Sequence, residues 1–239
     1  MKASLRRWLT GPSSRPSDLP RPHDRISRNA IISLSPAHPD GHLGKARCGV
    51  SMLTVGMRLS GCRNGVARPP RYCGRMLELQ RLTGDHLEAV LAFEFENRAY
   101  FARSGTDRGD EFYETYAERH RALLDEQDAG ICVFFVLVER DGSIVGRFNL
   151  YDLDNGAAEV GYRVAERVAG RGVATDALSD LCRKAAVDYG MRTLTAGTST
   201  ANVASQRVLE KAGFASTGTC VVGGKPCLKF TLSLADVLP

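Results

Sequence analysis

The stretch Ala158-Glu-Val-Gly-Tyr-Arg-Val-Ala-Glu-Arg-Val-Ala-Gly-Arg-Gly-Val-Ala-Thr175 decides the fold. A strand ends near Val164, a glycine-containing loop follows, and a helix starts near Gly172. The loop contains the pattern Arg167-x-x-Gly170-x-Gly172. Gly170 and Gly172 allow backbone to approach a ligand without an obstructing Cβ. The first N–H groups of a helix are unpaired and lie at the positive end of its dipole. Loop and helix start together make a pyrophosphate site, with Arg167 and Arg171 adding positive charge. No Gly-Lys-Ser/Thr follows, so this is not a Walker loop, and the spacing is not the dinucleotide fingerprint. Taken alone, the pattern also fits a glycine-rich connection with no ligand.

Downstream, Ala174, Ala177, Leu178, Leu181 and Ala185 keep a helical spacing to about Tyr189, where Gly190 can stop the helix. Thr193–Gly197 reads as a short strand. Asn202 can cap a helix running through Ala212, with Gly213 as its stop, and 217–222 and 227–234 form a last hairpin around Gly223-Gly224. Upstream lies an antiparallel meander. Strands 131–139 and 143–151 flank Asp141-Gly142, and 157–164 follows Asn155-Gly156, both strong tight-hairpin signals. Before it come a strand over 77–82, a helix opened by Thr83-Gly-Asp85 with Leu87, Val90 and Leu91, and a helix after Asp110 with Phe112, Tyr116, His120, Leu123 and Leu124 on one side. The element order is β-α-α-β-β-β-α-β-α-β-β, an α/β (α+β) domain over residues 76–239, large enough for its own core.

The segment around Arg167–Thr175 resembles motif A of the GNAT acetyltransferase superfamily, Gln/Arg-x-x-Gly-x-Gly/Ala. It follows the third strand of a meander and opens a long helix, as that fold requires. Asn202-Val-Ala-Ser-Gln-Arg-Val-Leu-Glu-Lys-Ala-Gly-Phe214 resembles motif B. The run is most similar to the ribosomal-protein N-terminal (RimJ/RimL-like) acetyltransferase branch, which the opening Leu79-x-Arg-Leu-Thr and Glu96-Asn-Arg98 also suit. The resemblance covers residues 76–220 and implies a mixed, mostly antiparallel central sheet with helices on both faces.

It also implies acetyl-CoA as co-substrate and a set of site residues. Gly161, Tyr162, Arg163 and Val164 would offer a free strand edge to the pantetheine arm. The N–H groups from Arg167 through Gly170, Arg171, Gly172, Val173 and Ala174 would hold the pyrophosphate, and Asn202 would contact the pantetheine region. Direct attack of a neutral amine on the thioester needs a base, an oxyanion donor and an acid for the leaving thiolate. Glu159 is the candidate base, or else orients substrate. The backbone N–H near Val160–Tyr162 is the candidate oxyanion donor. Many relatives use a tyrosine after motif B as the acid, but no Tyr follows Tyr189 here. Ser205 is the substitute and would also contact the cofactor; its alternative is a place in the helix cap. His86, His120, Phe93, Phe95, Tyr100 and Phe101 lie where such proteins build the acceptor cleft, and core or surface roles stand equally open for them. Cys220 and Cys227 read as small buried hydrophobes. Nothing suggests a metal.

The first 75 residues differ in character. They hold twelve arginines and two lysines against three aspartates, for +11, whereas the rest of the chain carries −6 of the overall +5. Eight of the ten prolines precede residue 71, as does Trp8. Such a run carries neither a regular helix nor a central strand, and disorder is expected over 1–75. It fits an organellar transit peptide, a basic tail for nucleic acid or an acidic partner, or upstream sequence read into the frame with Met76 as the start. The abrupt change at Met76 favours the last. The basic balance is therefore no nucleic-acid footprint of the folded domain.

Seven cysteines form no CxxC pair and show no zinc-like spacing with histidine, so reduced thiols and a cytoplasmic location are expected. No stretch approaches a membrane span. The expected activity is N-acetylation of a primary amine, a protein N-terminal α-amine such as that of a ribosomal protein. The alternatives are a small amine (antibiotic, polyamine or amino acid), a non-catalytic acyl-CoA-binding module, or nucleic-acid binding through residues 1–75. A cleft lined with acids would favour a polycation, and an open cleft a peptide end. A monomer or a homodimer fits equally.

Overall fold

The computed structural model describes residues 71–72, 75–103, 107–222 and 225–235. The expectations for residues 1–70 lie outside these. Strand β1 (Arg71–Tyr72) pairs with β2 (Arg75–Arg81), so β2 begins one residue before Met76. Four helical segments follow: α1 (Leu87–Glu96), α2 (Arg98–Ala102), α3 (Asp110–Glu114) and α4 (Tyr116–Asp128). Then come β3 (Val133–Glu139), β4 (Ile144–Asp154), β5 (Ala157–Val164), α5 (Val173–Tyr189), β6 (Thr193–Ser199), α6 (Val203–Lys211), β7 (Ala215–Val222) and β8 (Lys225–Ser233). The sheet order is β1-β2-β3-β4-β5-β6-β8-β7. β5 and β6 run parallel, and the other neighbours are antiparallel. The expected mixed sheet is therefore present.

The two N-terminal helices expected from periodicity are each broken, near Asn97 and Thr115. The Asn97 side chain explains the first break. Its amide donates back to Phe93 O (2.9 Å) while Oδ1 accepts from Glu166 N (3.0 Å), tying the helix to the loop after β5. At Asn155-Gly156 both residues have positive φ, 49° and 78°, as the tight turn demands.

Alternation along the strands sends successive side chains to opposite faces. Phe135, Phe148 and Tyr162 share one face, where Phe135 meets Tyr189 of α5 and Phe148 stacks on Tyr162. Phe134, Arg147, Tyr151 and Arg163 share the other, covered by α1 and α4. α5 buries Val173, Ala174, Ala177, Leu178, Leu181, Cys182, Ala185 and Ala186. This apolar stripe fixes the helix start beside the end of β5, and burial of Leu178 or Leu181 contributes about 1.5–3 kcal/mol each.

One expectation fails. Cys220 and Cys227, read as reduced hydrophobes, form a disulfide across the β7–β8 pair. They sit directly opposite in the antiparallel register, with Cα atoms 4.8 Å apart, a separation that lets two thiols join without backbone movement. Sequence spacing gave no sign of it because register is a tertiary property. Cys132 and Cys182 are free and buried.

Candidate active site

The parallel pairing of β5 and β6 stops early. Register runs from Ala157↔Thr193 to Val160↔Ala196 and no further. Beyond it, Gly161–Val164 keep their β4 partners but have none from β6. The sheet thus opens into a wedge at the stretch expected to offer a strand edge. On β4, the register slips between Tyr151 and Asp154, and Asp152 takes φ 50° in this bulge.

At the wide end of the wedge, Gly170 (φ 71°) and Gly172 (φ 81°) turn the chain into α5. These φ values favour glycine, and a Cβ at either position would meet nothing within 4 Å, so the space in front of the loop is open. The first i→i−4 bond of α5 runs from Asp176 N to Gly172 O (3.0 Å), leaving the N–H groups of Val173, Ala174 and Thr175 without an intrahelical acceptor. The cradle is shorter than the sequence suggested. Val168 N and Ala169 N bond to Ala165 O and Glu166 O. The Arg167 guanidinium is held by Glu139 (2.6 Å) and Ser143 (3.3 Å). Arg171 is exposed beside the loop.

Asn202 caps α6 by accepting from Ser205 N (3.1 Å). This fixes Ser205, which is wholly buried, so that its Oγ lies 3.3 Å from the Tyr162 hydroxyl. Burial pushes the Tyr162 phenol up, against a smaller opposing pull from Ser205. Thr198, on β6 past its last β5 partner, is buried with Oγ1 unpartnered. An orphaned hydroxyl on the open wedge fits the amide-bearing arm of acetyl-CoA, as do the unpaired strand edge and helix N-terminus. The Tyr162 side chain points to α6, on the α5 side of the sheet.

Glu159 points to the opposite face, paired in register with Tyr151 and Thr195. Its carboxyl is raised above the ordinary glutamate range by burial and by Asp152, with Lys229 opposing. A raised, half-buried carboxylate at the neck of the wedge suits proton abstraction.

On the same α1–α4 face lies a cavity of about 280 Å³, lined by Tyr151, the register partner of Glu159, though not by Glu159 itself. Its walls include Arg108, Phe112, Tyr116, Arg119, Arg147 and Tyr151, and it reaches the free edge at Gly161–Arg163. Beneath it, the buried Glu94 carboxylate accepts from Arg147 (2.8 Å) and Arg163 (2.9 Å), with Arg108 at 3.8 Å. Burial would raise Glu94, but Arg163, Arg147 and Arg108 overcome it and hold the group at about 2. Asn149 donates to the Tyr151 hydroxyl (2.7 Å), and its Oδ1 has no partner.

Sequence reasoning missed this cluster. Its visible signals were Arg147 and Asn149, a charge and an amide inside the otherwise apolar run from Ile144 to Leu150. The histidines expected near the acceptor cleft serve the scaffold. His86 accepts from Thr83 N (3.0 Å), and His120 Nε2 lies 2.9 Å from Thr83 O. Phe93, Tyr100 and Phe101 are core, whereas Phe95 is exposed. Among the described residues no group of His, Cys, Asp or Glu could hold a metal, and no helix is long and apolar enough to cross a membrane.

The chain resembles known proteins along this whole region. A probable N-acetyltransferase, YjcK of Bacillus subtilis, is 26% identical over 153 residues, covering 61% of this chain and 83% of that one. The ribosomal-protein-S5-alanine acetyltransferase of Vibrio fischeri superposes with a TM-score of 0.63 at 17% identity, covering 68% of this chain and 96% of that one. A spermidine N-acetyltransferase chimera from Vibrio cholerae and hSSAT superposes with a TM-score of 0.56 at 14% identity, covering 67% and 97%. The model of the acetyltransferase (GNAT) domain matches residues 76–215. With wedge, cradle and family model in agreement, the chain belongs to the GNAT acetyltransferase family and is an acetyl-CoA-dependent N-acetyltransferase.

Proposed function

We propose that this enzyme acetylates the α-amine of a protein N-terminus by direct attack on acetyl-CoA. The observation that carries the reading is the wedge after Val160↔Ala196, where Gly161–Val164 lose their β6 partners while the cavity on the α1–α4 face reaches the same edge. Pyrophosphate and pantetheine occupy the α5–α6 side, at the N–H groups of Gly170–Ala174, the edge Gly161–Val164, and Asn202. The amine enters from the α1–α4 side, through the cavity at Tyr151, the register partner of Glu159.

The roles follow from the two faces. The lone pair of the neutral amine attacks the thioester carbonyl carbon, and backbone N–H near Val160–Tyr162 stabilises the oxyanion. Glu159 takes the amine proton as the C–N bond forms. Ser205 donates its hydroxyl proton to the sulfur as the C–S bond breaks, releasing the amide and the CoA thiol. Both residues then exchange protons with solvent.

The cavity favours a short amine-bearing end over a long chain, and its lack of lining carboxylates disfavours a polyamine. Turnover of acetyl-CoA against peptides with free N-termini, the same peptides N-blocked, and spermidine tests the reading. Acetylation confined to free N-termini is expected. Turnover of spermidine alone would overturn it.

A further inference from the structure

The acceptor cavity is unevenly charged. Arg108, Arg119, Arg147 and Arg163 line it, and no carboxylate does. Glu94 pairs with Arg147 and Arg163 and lies 3.8 Å from Arg108, so one carboxylate serves three of the four guanidiniums and Arg119 has none. Among the described residues, none of the four has another carboxylate within ion-pair distance. Arg119 donates to Thr115 Oγ1 (3.0 Å) and lies over the Phe112 ring, as Arg108 also does. Burial most of all, then Arg163 and Arg147, push Arg108 down to about 10, with Glu94 opposing. Asn149 Oδ1, buried at the same wall, lacks a donor.

We infer that this cavity recognises an amine whose near neighbour bears a carboxylate. The partner is a peptide N-terminus followed by Asp or Glu, or a free α-amino acid. The inference rests on the acetyl-transfer reading above and names the acceptor class for the same site. A guanidinium fork binds a carboxylate through paired N–H donors, which holds the acceptor in one orientation. The amine then lies toward Asn149, whose orphaned oxygen accepts an N–H, and toward Glu159. The same positive field disfavours the ammonium form, so the bound amine loses its proton more readily. It also repels lysine-rich peptides and polyamines.

The test uses the full chain with CoA present and C-terminally labelled heptapeptides opening Ser-Glu-Glu, Ser-Gly-Gly or Ser-Lys-Lys. Anisotropy reads binding, and acetylation is read separately. The acidic peptide should bind about tenfold tighter than the neutral one, the range of charge-assisted hydrogen bonds, and roughly 0.5 M salt should remove most of that gap. Arg119→Gln, on an exposed side chain, should narrow it severalfold; Arg108→Gln does the same if the first variant folds poorly. Free glutamate displacing the acidic peptide at low millimolar concentration assigns the site to an amino acid, and no displacement assigns it to a peptide. Equal binding of the three peptides, or preference for the lysine peptide, overturns the inference, as does no binding by any peptide or by glutamate. Tight acidic binding without acetylation leaves the inference standing and overturns the transfer reading instead.

Discussion

The Tyr162 hydroxyl lies 3.3 Å from Ser205 Oγ, on the face of the sheet opposite Glu159. The proposed acid and base thus stand on either side of the wedge rather than side by side. Ser205→Ala should lower kcat by about 100-fold, the lower end for general acid–base catalysis, while the acetyl-CoA Kd moves little. Tyr162→Phe removes only a hydroxyl and keeps the stack on Phe148, whose ring centroid is 5.6 Å away. It should lower kcat about tenfold by loosening Ser205, with the pH profile unmoved. Single-turnover kinetics with calorimetric acetyl-CoA binding separates the two terms. Full turnover in both variants would remove Ser205 from the mechanism.

Glu159 should set the acidic limb of kcat/KM. The base works deprotonated and its carboxyl is raised by burial and Asp152, so activity should fall as pH drops through a value above the ordinary glutamate range. Asp152→Asn removes a raising charge and should move the limb to lower pH. Lys229→Ala removes a lowering charge and should move it up. Glu159→Gln should abolish the limb and lower kcat about 100-fold. A limb that ignores all three substitutions assigns the titration elsewhere.

Glu94 should be a stability residue with a pH signature. It is buried under three arginines, and Glu94→Gln leaves those guanidiniums without their carboxylate, at a cost of about 3–5 kcal/mol. Its folded value of about 2 lies below its ordinary 4.5. The stabilisation is therefore full above the ordinary value and is lost as pH falls toward 2. Denaturant unfolding of both forms between neutral and acid pH should show their midpoints converge on the acid side. A constant gap would place the effect in packing rather than charge.

The parts of this enzyme set by local sequence are legible from residue order alone. Asn155-Gly156 announces its turn, Gly172 and Gly190 bracket α5 within a residue, and Asn202 caps α6 as its side chain requires. The arginine-lined cavity and the Glu94 cluster beneath it are not legible in that way. Arg147 and Arg163 lie 53 and 69 residues from Glu94 along the chain and meet it only through sheet pairing. The Cys220–Cys227 bond and the Tyr162–Ser205 contact are hidden for the same reason. Where a site is backbone and a helix end, motif reading reaches it; where it is side chains from distant strands, register decides.

Gly172 offers the sharpest test of the cradle. Its φ of 81° is left-handed, and an added Cβ would meet no protein atom within 4 Å. Gly172→Ala therefore carries a conformational cost of about 1–2 kcal/mol and places a methyl in the open space before the α5 N–H groups. If acetyl-CoA pyrophosphate occupies that space, the acetyl-CoA KM should rise at least tenfold, while the acceptor KM and the position of the acidic limb stay put. Gly170→Ala (φ 71°, also facing open space) should act in the same direction. An unchanged acetyl-CoA KM in both, with only a lowered Tm, would mean that these glycines serve the turn alone and that the phosphates sit elsewhere.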